Sequence, residues 1–173
     1  MKIYVDFDGV IMDTETHLFD NYEDMLKKGI VKDDRKYMSL FNWEEHLRKS
    51  DIIADSIEIL KRLRCDVSIL GKVCTEHEKE AKLKLLRSHE FNKPIIFVPF
   101  ETKKCDSPLV EVNGNILIDD TVHNLVDWEK SNGVPIYFNK DESLIDPWGN
   151  KNTKYKTIKT LELLYRYEKN NNL

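Results

Sequence analysis

A chain of 173 residues, 40% hydrophobic and 34% charged, is long enough to bury a substantial core as one domain, or as a core domain with one small insertion. Its net charge of -4 gives no electrostatic footprint for nucleic acid, so a large polyanion is not an expected partner. Three cysteines that are odd in number and not closely paired point to reduced thiols, and no apolar stretch approaches the roughly 20 residues of a membrane span, so the expected location is cytoplasmic.

Short β-rich runs recur along the chain: "KIYVDF" at 2–7, "DVSIL" at 66–70, "PIIFV" at 94–98, "NILI" at 115–118 and "VPIYF" at 134–138. They alternate with segments of helical period, the pattern of parallel strands joined by crossover helices that cover both faces of a sheet. The expected class is α/β, a doubly wound parallel sheet. Residues 8–65 are far more than one crossover needs, and they carry an aromatic group of their own in Phe19, Tyr22, Tyr37, Phe41 and Trp43. This reads as a small helical cap over 14–50, inserted after the first strand of a core domain built from 1–13 and 51–173. Helices are expected over 16–28 and 43–49 within it, and the aromatic residues read as its own small core in preference to a nucleobase platform. "DSIEILKRLR" then leads back into strand two, with Ile57, Leu60 and Leu63 at helical spacing. In "TEHEKEAKLKLLRSH", Thr75 stands three residues before Glu78, a capping-box pattern at the start of a helix. The segment "TIKTLELLYRYEK" reads as a last amphipathic helix, followed by a polar tail that should fray.

Two acidic pairs stand out because each follows an apolar strand: Asp6 and Asp8 after the first, Asp119 and Asp120 after "NILI". Like charges this close repel unless a cation, hydrogen bonds or open water offset them. Either pair alone is accounted for by a strand-end turn. Two pairs at the carboxyl ends of parallel strands should converge on one crevice, where ligands of open α/β sheets bind. Three or four carboxylates around one point suit a hard divalent cation with oxygen ligands, Mg²⁺ being the natural one.

"DFDGV", a lysine far downstream and "LIDD" together resemble the haloacid-dehalogenase-like phosphatase superfamily, in motif order and strand alternation over essentially the whole chain. Within it, "NGNILIDDTVHNLVDWEKSNGVPIYF" is similar to the fourth-motif segment of the 5'(3')-deoxyribonucleotidase-like branch. The resemblance implies a Mg²⁺-dependent phosphomonoesterase in which Asp6 is the nucleophile that forms an aspartyl-phosphate. Asp8 would be the general acid and base, its backbone carbonyl joining the Asp6 and Asp119 carboxylates on Mg²⁺, with Asp120 completing the acidic metal site from just behind. Gly9 would let the backbone turn tightly toward the phosphate. A lysine bridging nucleophile and phosphoryl group is implied in "ETKKCD", with Lys104 favoured over Lys103.

One element departs from the pattern. A serine or threonine normally ends the second strand and bonds a phosphate oxygen, whereas "VSILGKVCTEHE" has Gly71 there. Gly71 could supply a backbone amide with Lys72 adding charge, or Thr75 could supply the hydroxyl, although its capping pattern already gives it a structural task. The nucleotidases also carry an aromatic residue shortly after the first motif, where this chain has Thr14. Among the histidines, His17, His46, His77 and His89 read as surface or cap residues, and His123 alone falls near the crevice. The expected substrate is a small phosphorylated metabolite, with nucleoside monophosphates foremost. The alternatives are a phosphomutase of the same superfamily and a non-catalytic phosphate-binding regulator.

Overall fold

The computed structural model describes residues 1–16, 18–141 and 143–171, so His17 and the last two residues of the polar tail lie outside the described residues. The central strand β1, Ile3–Val5, is a run of β-favouring residues buried on both faces. It pairs in parallel with β2, Val67–Val73, on one side and with β4, Ile116–Asp119, on the other. With β3, Ile95–Pro99, β5, Val134–Phe138, and β6, Thr157–Ile158, the sheet has six strands in the order β3-β2-β1-β4-β5-β6, every pairing parallel.

Strand alternation divides the core between the two faces of this sheet. Ile3, Val5, Phe7, Ile69 and Ile118 belong to one cluster, and Tyr4, Leu70, Leu117, Leu125, Trp128 and Tyr137 to the other. The helices α4, Ser56–Arg62, α5, Glu76–Ser88, and α7, Glu162–Asn171, contribute to the first cluster, and α6, Val122–Lys130, to the second. Tyr4 and Trp128 meet edge to face with centroids 5.4 Å apart, a geometry worth about 0.5 to 1.5 kcal/mol beyond area burial. None of the described helices is long and apolar enough to cross a membrane, and Cys65, Cys74 and Cys105 are free thiols.

Between β1 and α4 the chain forms α1, Tyr22–Lys27, α2, Asp34–Leu40, and α3, Trp43–Lys49. The outgoing and returning segments are hydrogen-bonded to each other: Asp13 N donates to the Asp51 carbonyl at 2.9 Å and Ile53 N to the Ile11 carbonyl at 2.9 Å. Phe19, Tyr22, Tyr37, Phe41 and Trp43 pack in a continuous series of ring contacts, and Tyr37 Oη donates to the Leu18 carbonyl at 2.8 Å. Trp43 and Leu47 also enter the core cluster of Phe7, Ile11 and Ile69, so α3 is packed onto the main body through α5.

Several boundaries differ from the sequence reading. β2 runs on through Gly71, Lys72 and Val73, because β3 continues to pair with it as far as Val73 opposite Pro99. The expected helix over 16–28 shortens to α1, and α2 was not expected; its start is fixed by the Asp33 carboxylate, which accepts from Lys36 N at 2.7 Å. Thr157 and Ile158, read as the first residues of the last helix, are instead β6, a two-residue strand too short to carry a period.

Candidate active site

The pairing of Val5 with both Ile69 and Ile118 brings the residues that follow β1 and β4 out side by side at the carboxyl edge of the sheet. Asp6 N donates to the Ile118 carbonyl at 2.9 Å. Asp6, Asp119 and Asp120 are buried, and each offers a carboxylate oxygen within 4.8 Å of the others. Lys104, on a 3₁₀ turn after β3, is buried beside them, with Nζ 2.7 Å from Asp6 Oδ1 and 2.6 Å from Asp119 Oδ2. Lys103 turns away and pairs with Asp127 at 3.1 Å.

The carboxylates differ in how much of their acceptor capacity is used. Asp119 receives Lys104, Thr121 N at 2.9 Å and the Asn124 amide at 3.1 and 3.2 Å. Asp6 Oδ1 takes both Lys104 and Phe7 N, leaving Oδ2 without a hydrogen bond among the described residues. Among the described residues Asp120 receives only Thr121 Oγ1, at 3.4 Å. Gly9 has φ of 67°, and a Cβ there would stand 1.8 Å from Asp120 Oδ2, so only glycine lets the loop lie against this carboxylate.

Three buried carboxylates around one ammonium leave negative charge unbalanced. Burial, and next the Asp119 carboxylate, push Asp6 up to about 7 against the pull of Lys104. Burial, Asp119 and Asp6 hold Asp120 well above the usual carboxylate range. Burial draws the Lys104 ammonium down, but Asp119 and Asp6 outweigh it and keep it above its ordinary value. An all-oxygen donor set with surplus negative charge fits a hard divalent cation such as Mg²⁺.

The Asp8 side chain is held apart from this group. Its Oδ2 meets Lys82 Nζ at 2.6 Å and its Oδ1 accepts from Thr14 Oγ1 at 2.7 Å. Lys82, on α5, is fully buried, pairs with Glu78 one turn earlier at 2.6 Å, and lies 5.1, 5.3 and 6.0 Å from the ring centroids of Phe7, Trp43 and Phe97. Burial opposes its charge, yet Asp8 and Glu78 raise its affinity for the proton. The sequence reading missed Lys82 as a neighbour of Asp8. The one available signal was the i, i+4 spacing of Glu78 and Lys82, which also fits a solvated helix face.

Gly71 and Thr75 each have a structural task. Gly71 lies inside β2, and a Cβ there would stand 3.0 Å from the Phe97 ring and 3.2 Å from Phe7, a packing reason for glycine. Ile69 N donates to the Pro94 carbonyl and the Val73 carbonyl accepts from Phe100 N, and strand alternation turns the Gly71 amide toward β3 with them. The Gly71 amide, read from the sequence as one that could reach a phosphate, thus lies within the sheet. Thr75 Oγ1 accepts from Glu78 N at 3.0 Å and caps α5. Of the histidines, His46 Nε2 contacts the Thr14 carbonyl at 2.7 Å, and His123 is exposed beside Asp127. A cleft of about 350 Å³ opens beside Gly9 and Asp120, walled by Asp13, Glu15, Ile53, Lys140 and Pro147, with Lys140 paired to Asp13. A larger cavity of about 540 Å³ lies among α1–α3 and is lined by none of the clustered carboxylates.

No family model and no curated protein matches the chain. Solved structures do. A haloacid dehalogenase-like family hydrolase from Streptococcus pneumoniae is similar with a TM-score of 0.61 at 15% identity, over 96% of this chain and 97% of that one. The HAD-hydrolase YfnB from Bacillus subtilis, solved bound to magnesium, is similar with a TM-score of 0.57 at 15% identity, over 96% and 97%. D,D-heptose 1.7-bisphosphate phosphatase from B. bronchiseptica, solved with magnesium and phosphate, is similar with a TM-score of 0.56 at 14% identity, over 96% and 99%. The parallel order β3-β2-β1-β4-β5-β6, the acidic carboxyl edge and these whole-length likenesses give one conclusion: the chain has the fold of the haloacid dehalogenase-like hydrolases.

Proposed function

We propose that the chain is a Mg²⁺-dependent phosphomonoesterase that works through an aspartyl-phosphate on Asp6 and acts on a small phosphorylated metabolite. The observation that carries this reading is the Asp6 carboxylate itself: one oxygen is fixed by Lys104 and Phe7 N while Oδ2 is left open among further buried carboxylates. A divalent cation bound by the carboxylates would supply positive charge to the phosphoryl oxygens. Asp6 Oδ2 attacks phosphorus, forming an O–P bond as the ester O–P bond breaks, and Asp8, protonated and turned from Lys82 and Thr14 toward the substrate, gives its proton to the leaving alkoxide. In the second half, water attacks phosphorus, the Asp6–phosphate bond breaks, and the water proton returns to Asp8. Lys104 steadies the nucleophile and the developing charge, and Asp119, taken up by Lys104, Asn124 and Thr121 N, orients that lysine. Asp120, with most of its acceptor capacity free, is the second carboxylate we assign to the metal beside Asp6, alongside the Asp8 backbone carbonyl.

The inserted helices α1–α3 act as a cap that limits the substrate to a small molecule. The fourth-motif segment puts nucleoside monophosphates first. Among proteins of this fold, a heptose bisphosphate phosphatase keeps sugar phosphates as the comparison set. The test is phosphate release with Mg²⁺ from an aryl phosphate, from 3'- and 5'-deoxyribonucleoside monophosphates and from sugar phosphates. The expected result is turnover by the parent, faster on at least one nucleotide than on any sugar phosphate, and loss of nearly all turnover in a folded Asp6→Asn protein. Sugar phosphates outperforming every nucleotide would refute the nucleotidase reading alone, and a fully active Asp6→Asn protein would sink the mechanism. The second reading, a phosphate-binding regulator, rests on the lack of a hydroxyl at Gly71 and requires silence on the whole panel.

A further inference from the structure

β1 pairs with β2 up to Val5 opposite Ile69, so Asp6 follows at the level of Leu70. Leu70 shares a face of the sheet with Tyr4, and Lys72, two residues on, returns to that face about 6 to 7 Å nearer the carboxyl edge. Lys104 approaches Asp6 and Asp119 from the 3₁₀ turn that packs on this same face beside α6. Gly71 faces the other way, toward Phe7 and Phe97, so a hydroxyl at position 71 would lie on the opposite face of the sheet from Tyr4 and Leu70, the face to which position 72 returns. The backbone alternation that commits the Gly71 amide to β3 turns the Lys72 N–H to the β1 side, beyond the last paired residue of β1.

The Lys72 ammonium is half-buried, and among the described residues it has no hydrogen bond or ion pair; its one contact of note is the Phe100 ring, 5.8 Å to the centroid. Burial, and next the like charge of Lys104, draw it below its ordinary value against the pull of Asp119 and Asp6. The other buried ammonium groups are matched: Lys104 by Asp6 and Asp119, Lys82 by Asp8 and Glu78. Lys72 has no such partner among the described residues.

We propose that Lys72 holds the phosphoryl group of the substrate, its ammonium bonding a phosphate oxygen from the β2 side in the task that a serine or threonine hydroxyl performs in the phosphatases this chain resembles. The inference rests on the phosphatase reading and adds to it the group that anchors the anion. Its test is the binding of orthophosphate, measured by calorimetry with Mg²⁺ present, together with KM and kcat on an aryl phosphate. Lys72→Met should weaken orthophosphate at least about tenfold, the scale of one charge-assisted hydrogen bond, and raise KM, while Lys72→Arg retains most of the affinity. Because the side chain is only half-buried, both variants should melt as the parent does. Unchanged orthophosphate affinity and KM in Lys72→Met overturn the proposal and leave the phosphatase intact. A parent without turnover that still binds orthophosphate through Lys72 keeps the anchor and removes the phosphatase reading. A parent that binds no orthophosphate overturns both.

Discussion

Glu15, at the wall of the cleft, is pushed up to about 7 from 4.5, by burial first and then by Asp8 and Asp13, with Asp146 and Asp119 adding to the effect. A carboxyl group shifted this way binds a proton in the folded protein that it releases on unfolding. Between 4.5 and about 7 the folded state therefore holds more protons, and the contribution of Glu15 to stability is lost as pH rises through that window. Glu15→Gln should flatten the fall in Tm of the metal-free protein between about pH 5 and about pH 8. A Tm profile parallel to that of the parent would mean that Glu15 is already ionised across the window. At this scale the sequence was partly legible. Asp6, Asp119, Asp120 and Lys104 are local strand-end or turn residues whose positions follow from where their strands stop, and they do meet. Lys82 was illegible because its burial is made by Phe7, Trp43 and Phe97, three side chains brought from distant parts of the chain.

Helix α5 joins the acid-base candidate to the sheet. Its N-cap Thr75 accepts from Glu78 N, and the Glu78 carboxylate spends one oxygen on Cys74 N at 2.7 Å and the other on Lys82. Replacing Lys82 alone strands two carboxylates, one of them buried, and such a loss is worth about 3 to 5 kcal/mol of stability. Lys82→Met should fall in that range by denaturant titration, and the double variant Lys82→Met, Glu78→Gln should recover part of it. A single variant as stable as the parent would show that the pair carries no stability. The Thr75 cap was readable in advance from a four-residue spacing, and with it the helix that it starts, although the Glu78 carboxylate turns to Cys74 N instead of Thr75 N. Besides α2, the length of β2 and the existence of β6 escaped. The two strand features are decided by a neighbouring strand, β3 in one case and β5 in the other, and not by residues within the segment.

For the molecule as a whole, the alternation of apolar runs and helices was enough to give a doubly wound parallel sheet, because strands buried on both faces have few other arrangements. The inserted helices were recognisable by their excess length. Their attachment was not, since Trp43 and Leu47 pack into the same cluster as Phe7 and Ile69. The insertion should therefore unfold with the sheet. With Trp128 and Trp148 replaced by Phe, so that Trp43 alone reports, urea transitions followed by fluorescence and by far-UV circular dichroism should coincide. An earlier fluorescence transition would mean that the inserted helices come away first. The paired segments at Asp13–Asp51 and Ile11–Ile53 have a consequence for how such a protein can change over evolution. A loop whose ends are already clasped is closed at a cost that grows only with the logarithm of its length, about 0.6 kcal/mol for each doubling. Descendants can lengthen or rewrite the stretch beyond the clasp, and so alter which molecules the cleft admits, while Asp6 and Asp8 upstream keep their places just past the end of β1.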